Sequence, residues 1–139
     1  MKSNYRLINH TSDLGIQVTG ASLPELFINA ARSIYAIALN EPYVGQTVQH
    51  TIQLTGVELD LLLKDWLTEI LFLITAKHII ITEFSVAINA DYRLDAELEG
   101  IVYQPDSQVV QREIKSITYH HLNVRKRHSG WMATFIMDV

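Results

Sequence analysis

Residues 59–74 restrict the fold more than any other stretch of this chain. Leu59, Leu62, Leu63, Trp66, Leu67, Ile70, Leu71 and Ile74 recur at three- and four-residue spacing, which is the period of an α-helix. They cover more than half of its circumference. A helix that apolar has to be enclosed by other elements, because a surface helix carries only one apolar stripe. Asp60, Lys64, Thr68 and Glu69 mark its narrow wet side, and with Asp65 they rule out a membrane span. Thr55 and Glu58 stand three residues apart ahead of it and read as a capping box. The helix is expected to run to about Ala76.

The enclosing elements are mostly strands. Tyr5 to Ile8 reads as a short strand, and Leu14 to Val18 alternates as a second. Ser22 and Glu25 form a Ser-x-x-Glu capping box, with Pro24 in the first turn, where a missing N–H does no harm. The helix they open carries Leu26, Phe27, Ala30, Ile34, Ile37 and Ala38 on one stripe and stops near Asn40. Thr47 to Leu54 is a strand with Val48, His50, Ile52 and Leu54 on one face. Ile79 to Ile88 is another, and Tyr92, Leu94, Ala96 and Leu98 alternate with charged residues. Residues 100–108 read as a loop turning at Pro105-Asp106. Glu113 to Lys126 and Trp131 to Met137 form a hairpin around Ser129-Gly130. The order implies an α+β fold, a largely antiparallel sheet packed against two helices.

At 139 residues, one domain spanning residues 1–139 is expected. The chain has no cysteine, which excludes disulfides, zinc–thiolate sites and thiol nucleophiles. No secretory or membrane segment is evident, so the expected compartment is the cytoplasm. The net charge of −4 argues against nonspecific nucleic-acid binding, including DNA. The one basic run, Arg125-Lys126-Arg127-His128, reads as a charged hairpin end.

Nucleophilic catalysis finds little support, for there is no Gly-x-Ser-x-Gly motif and no phosphate-cradling glycine loop. His10, Ser12 and Asp13 have triad residue types, but triads are assembled from distant segments. Metal binding fits better, because hard divalent cations take oxygen ligands. Asp13 opens a strand, Asp138 closes the last one, and Val139 offers an α-carboxylate. If those two strands are neighbours, three oxygen donors converge. Read alone, each aspartate is an ordinary turn or end residue. His120 and His121 would point to opposite sides of their strand, and His50 reads as a core histidine. Lys115 could pair with carboxylates or contact phosphate. Trp66 and Trp131 read as packing residues.

These same positions carry a resemblance to the archease family. His10-Thr11-Ser12-Asp13-Leu14-Gly15-Ile16 resembles the family's His-Thr-Ala-Asp-Ile-Gly opening. Ser22 to Phe27 with Asn29-Ala30-Ala31 is similar to its first helix, and Leu62 to Leu71 to its second. Ile114-Lys115-Ser116-Ile117-Thr118-Tyr119-His120 resembles its Val-Lys-Ala-Val-Thr-Tyr-His segment, and Trp131 to Val139 its terminal strand. The resemblance implies a divalent-metal site at Asp13, Asp138 and the Val139 carboxylate. Calcium is the expected ion, with manganese or magnesium as alternatives. It further implies functional, partner-facing roles for His10, Lys115 and His120.

The implied activity is not catalysis. The protein would promote guanylylation of an RtcB-type RNA ligase and restore its multiple turnover in tRNA splicing or RNA repair. The partner is the ligase, RNA is met only through it, and no membrane is involved. A metal-stabilised protein-binding or chaperone module is the alternative reading, and a metal-dependent phosphoester hydrolase comes after that. The chain departs from the family pattern at Ser12 for Ala and Asp60 for Glu. Ile101 and Gln104 stand where relatives carry acids, which puts any polar contact from that loop in doubt.

Overall fold

The computed structural model describes residues 4–9 and 13–139, without the side chain of Asn9. Alternating strand patterns give β1 (Tyr5–Asn9), β2 (Asp13–Gly20), β3 (Gln46–Thr55), β4 (Ile79–Ile88), β5 (Arg93–Val102), β6 (Ser116–Ile117), β7 (Asn123–Arg127) and β8 (Gly130–Asp138). The two apolar stripes give α1 (Leu23–Ala38) and α2 (Leu59–Thr75).

The α1 cap forms at Ser22 as the sequence implies, with the Glu25 carboxylate reaching one residue further back, to Ala21. Ser22 Oγ accepts from the Glu25 N–H at 3.3 Å, and Glu25 Oε2 accepts from the Ala21 N–H at 3.0 Å. The second expected capping box does not form. Thr55 remains the last residue of β3, paired with Arg93, and Glu58 itself is the N-cap of α2 without a side-chain cap bond. α2 is nevertheless enclosed: Leu62, Leu63, Trp66, Leu67 and Ile70 are fully buried. Trp66 also donates its indole N–H to the Phe27 carbonyl at 2.8 Å, joining the two helices.

Every strand pair is antiparallel, but the expected single sheet is two. One has five strands in the order β1-β2-β8-β6, with β7 also on β8; the other is β3-β5-β4. The helices lie between them. α1 touches β2 and β8 on one side and β4 on the other, while α2 touches β6 and β7 as well as β3 and β4. That arrangement explains the nearly all-round apolarity of α2. Ile16, Val18, Ala133, Phe135 and Met137 seal one side of the core, and Ile52, Ile80, Leu94, Ala96 and Leu98 the other. The two sheets are also bound through α1: the Tyr35 hydroxyl accepts from the Ile81 N–H at 2.9 Å, and burial pushes its pKa far above the usual tyrosine value.

Three further expectations are corrected. Residues 100–102 extend β5 and are no loop, since Gly100 pairs with both Val48 and Ile81. The stretch from Glu113 to Lys126 is not one strand: β6 ends at Ile117, and a turn intervenes before β7. Asp60 is not on a wet side, because its Oδ1 accepts from the Val124 N–H at 2.7 Å and fixes the start of α2 to β7.

Candidate metal site where the first and last strands meet

β2 and β8 are hydrogen-bonded neighbours, and their register sets Asp13 directly opposite Asp138. Parity decides which way these side chains point. Ile16 and Val18 of β2 and Ala133, Phe135 and Met137 of β8 face the helices. Asp13 and Asp138 have the opposite parity and stand on the outward face. Directly opposed residues hold their Cβ atoms about 4.5–5.5 Å apart. On the far side of β8, Ser116 pairs with Asp138. Asp13, Asp138 and Ser116 thus form one row across three strands.

Two carboxylates in that position repel each other. Among the described residues neither side chain has a hydrogen-bond or ion-pair partner, and the one ion pair is Arg93–Asp95 on the other sheet. No group of three or more His, Asp or Glu side chains gathers among the described residues either. A hard cation held here would take two side-chain carboxylates and complete its shell with backbone oxygen and water. The half-buried Val139 follows Asp138 directly and packs against the core. Oxygen-only donors next to unneutralised charge suit calcium, magnesium or manganese, and not a thiophilic metal.

Lys115 is tied to this row by its backbone: its N–H donates to the Asp138 carbonyl at 2.8 Å, and its side chain is exposed. His120 lies farther along, in the turn that interrupts the expected strand. Its N–H donates to Thr118 Oγ1 at 3.2 Å. His120 and His121 do not point to opposite faces of a strand, for their rings lie 4.2 Å apart at 57°. His10 lies outside the described residues, as do Thr11 and Ser12. His50 sits on β3 opposite Leu98, in the other sheet, and takes no part in this row. Ile101 also belongs to that sheet, and the Gln104 carbonyl accepts from Ser107 in the loop beyond it.

Sequence reasoning missed two contacts around the site. One is Asp60 to Val124. The other is Lys64, whose ammonium lies 4.4 Å from the centre of the exposed Tyr119 ring and links α2 to the turn bearing His120. Both join residues more than fifty positions apart, which no local pattern reveals.

The architecture and the row define a small α+β protein of two helices between two antiparallel sheets, with an outward acid pair where its first and last strands meet. No helix among the described residues is long and apolar enough to cross a membrane. Residues 5–139 match the Archease protein family (MTH1598/TM1083). The chain is 31% identical to Protein archease of Methanosarcina acetivorans and 30% identical to that of Methanosarcina mazei, covering 97% of this chain and 95% of each relative. Its fold is similar to the solution structure of Methanobacterium thermoautotrophicum protein 1598, with a TM-score of 0.81 at 23% identity over 99% of this chain and 100% of that one. The chain belongs to the archease family.

Proposed function

We propose that this protein binds a divalent metal ion, calcium in the first instance, and activates an RtcB-type RNA ligase in the cytoplasm by promoting its guanylylation, without being an enzyme itself. The observation that carries the reading is the Asp13–Asp138 pairing. An opposed acid pair on an outward face, without a cation from the described residues to neutralise it, favours an external one. A divalent ion at Asp13, Asp138 and the Val139 carboxylate would supply positive charge for phosphoryl oxygens.

The chain's own residues do the positioning. Asp13 and Asp138 hold charge where two interior strands of the sheet end. Ser116 extends the row, and the Lys115 N–H fixes the segment carrying Lys115 against Asp138. The exposed Lys115 ammonium is then free to meet a phosphate or a carboxylate of the partner. His120 and, from the family resemblance, His10 are the further residues proposed to face the partner. The test is guanylylation of a cognate ligase at limiting GTP, followed by multiple-turnover ligation, with and without the protein. Stimulation by wild type and its loss in a folded Asp138→Ala variant support the reading. Stimulation that survives in that variant refutes the metal-site mechanism.

A further inference from the structure

The outward face of the five-stranded sheet carries more than the acid pair. Arg6 on β1 and Arg125 and Arg127 on β7 share its parity: Arg6 pairs with Gln17, Arg125 with Met132 and Arg127 with Gly130. All three are exposed, and none has an ion-pair partner among the described residues. Two are steadied over the face by neighbours: Arg125 Nε donates to Asn123 Oδ1 at 3.3 Å, and Arg127 Nη1 to Met132 Sδ at 2.8 Å. A guanidinium has five N–H donors, so each keeps most of them for a ligand. Apart from Asp13 and Asp138, no acidic residue occupies an outward position of these strands. The outward face of the other sheet holds Glu83, Asp95, Glu97 and Glu99, with one arginine, Arg93, paired to Asp95. The net charge of −4 therefore hides a separation of charge between the two faces.

We propose that this arginine-bearing sheet face binds the phosphodiester backbone of a nucleic-acid duplex, independently of base sequence. Three geometric points select that ligand. Arg6 is in register with Asn123, three strand spacings or about 14 Å away, and Arg125 and Arg127 lie two and four residues further along β7, a span no single phosphate bridges. A duplex presents a charge about every 1.7 Å along its axis and reaches both. Between the arginines lie Gln17, Thr19, Asn123 and Thr134, which can hydrogen-bond, and the buried Met132; none of them is aromatic, so the face suits backbone contact and not the stacking of unpaired bases. Of the large exposed apolar side chains that a protein partner would seek, Val44, Val57, Phe72, Val110 and Tyr119 belong to other elements, and Leu7, on β1, has the inward parity of Ile16, so none shares the arginines' parity. The acid pair stands apart, about 20 Å along β8 from Met132 to Asp138, so the arginines engage a duplex without metal.

The probe is a fluorescently labelled duplex RNA of about 20 base pairs, followed by anisotropy in chelator at low salt and then through a salt titration. Wild type is expected to bind with a log–log salt slope of about −2 to −3, as for three phosphate contacts. Single Arg→Gln variants should each reduce that slope by about 1, and the triple variant Arg6→Gln, Arg125→Gln, Arg127→Gln should lose about tenfold or more in affinity. The triple variant must keep the wild-type melting temperature and, without RNA, the wild-type guanylylation stimulation, which separates this inference from the ligase reading. No binding by wild type at low salt, equal binding by the triple variant, or preference for polyglutamate over the duplex each overturns it.

Discussion

The molecule has two outward sheet faces of opposite charge. Both are antiparallel, both rest on the same two helices, and both point polar residues outward. On the three-stranded sheet the outward acids are spread over adjacent strands, Glu83 beside Glu99, with Gln49 donating to Glu99 at 2.9 Å and Arg93 paired to Asp95 at 3.1 Å. On the five-stranded sheet the acids are confined to one end, unpaired with any described cation, and the arginines stand at the other. The difference teaches that acidic content alone does not mark a site. Opposition alone does not mark a site either, since Glu83 faces Glu99 in the same way. Glu99 has a donor in Gln49, whereas Asp13 and Asp138 have no partner among the described residues, and Asp138 is followed directly by a further oxygen donor, the Val139 carboxylate.

The largest effect that sharpens this contrast is on stability. Calcium at about 100 times its dissociation constant should stabilise the wild type by about 2.7 kcal/mol, read as a rise in melting temperature over chelator, and Asp13→Asn should abolish that rise. If the wild type shows no rise, the two faces do not differ in the way described. Next, Asp60→Ala should destabilise by about 1–3 kcal/mol in urea unfolding, because the Val124 N–H loses its acceptor in a partly buried joint. A variant as stable as wild type would mean that joint does not brace the strands behind the arginine face.

Smaller still, Asp13→Asn measured in chelator should be neutral or stabilising by about 0.2–1 kcal/mol, since it removes the cross-strand repulsion. A destabilised variant would show that Asp13 has a stabilising partner after all. The smallest effect belongs to the other sheet. Glu97→Gln, at an exposed position, should change stability by no more than about 0.5 kcal/mol and leave the calcium-dependent rise intact. Loss of that rise would break the comparison from its other side.

Much of this contrast could be read from the sequence one element at a time, and very little of it between elements. The period of Leu62 to Ile74 declares an enclosed helix, and Ser22 with Glu25 declares where α1 begins. Asp13, Asp138 and Lys115 stand out through the resemblance. What encloses α2, however, depends on which strands pair. The alternation of β3 is the same whether it joins β2 or β5, so the division into two sheets was not legible. The turn at Tyr119-His120-His121 carries no glycine or proline; it bends with His121 at φ 54°, a conformation histidine adopts more readily than most residues. Asp60 looked solvated because a helical wheel assigns one wet side, and a helix held between two sheets has less of one than the wheel suggests. The outward parity shared by Arg6, Arg125 and Arg127 likewise exists only once β1 and β7 are placed in the same sheet.

The proposed metal site requires that Asp13 and Asp138, opposed across β2 and β8, hold one divalent ion. Calorimetric titration of calcium into metal-free protein tests it most directly, with wild type beside the double variant Asp13→Asn, Asp138→Asn. A single site per chain is expected in the wild type and no detectable site in the double variant at equal fold and concentration. Equal binding by the two proteins, or none by the wild type, would contradict it.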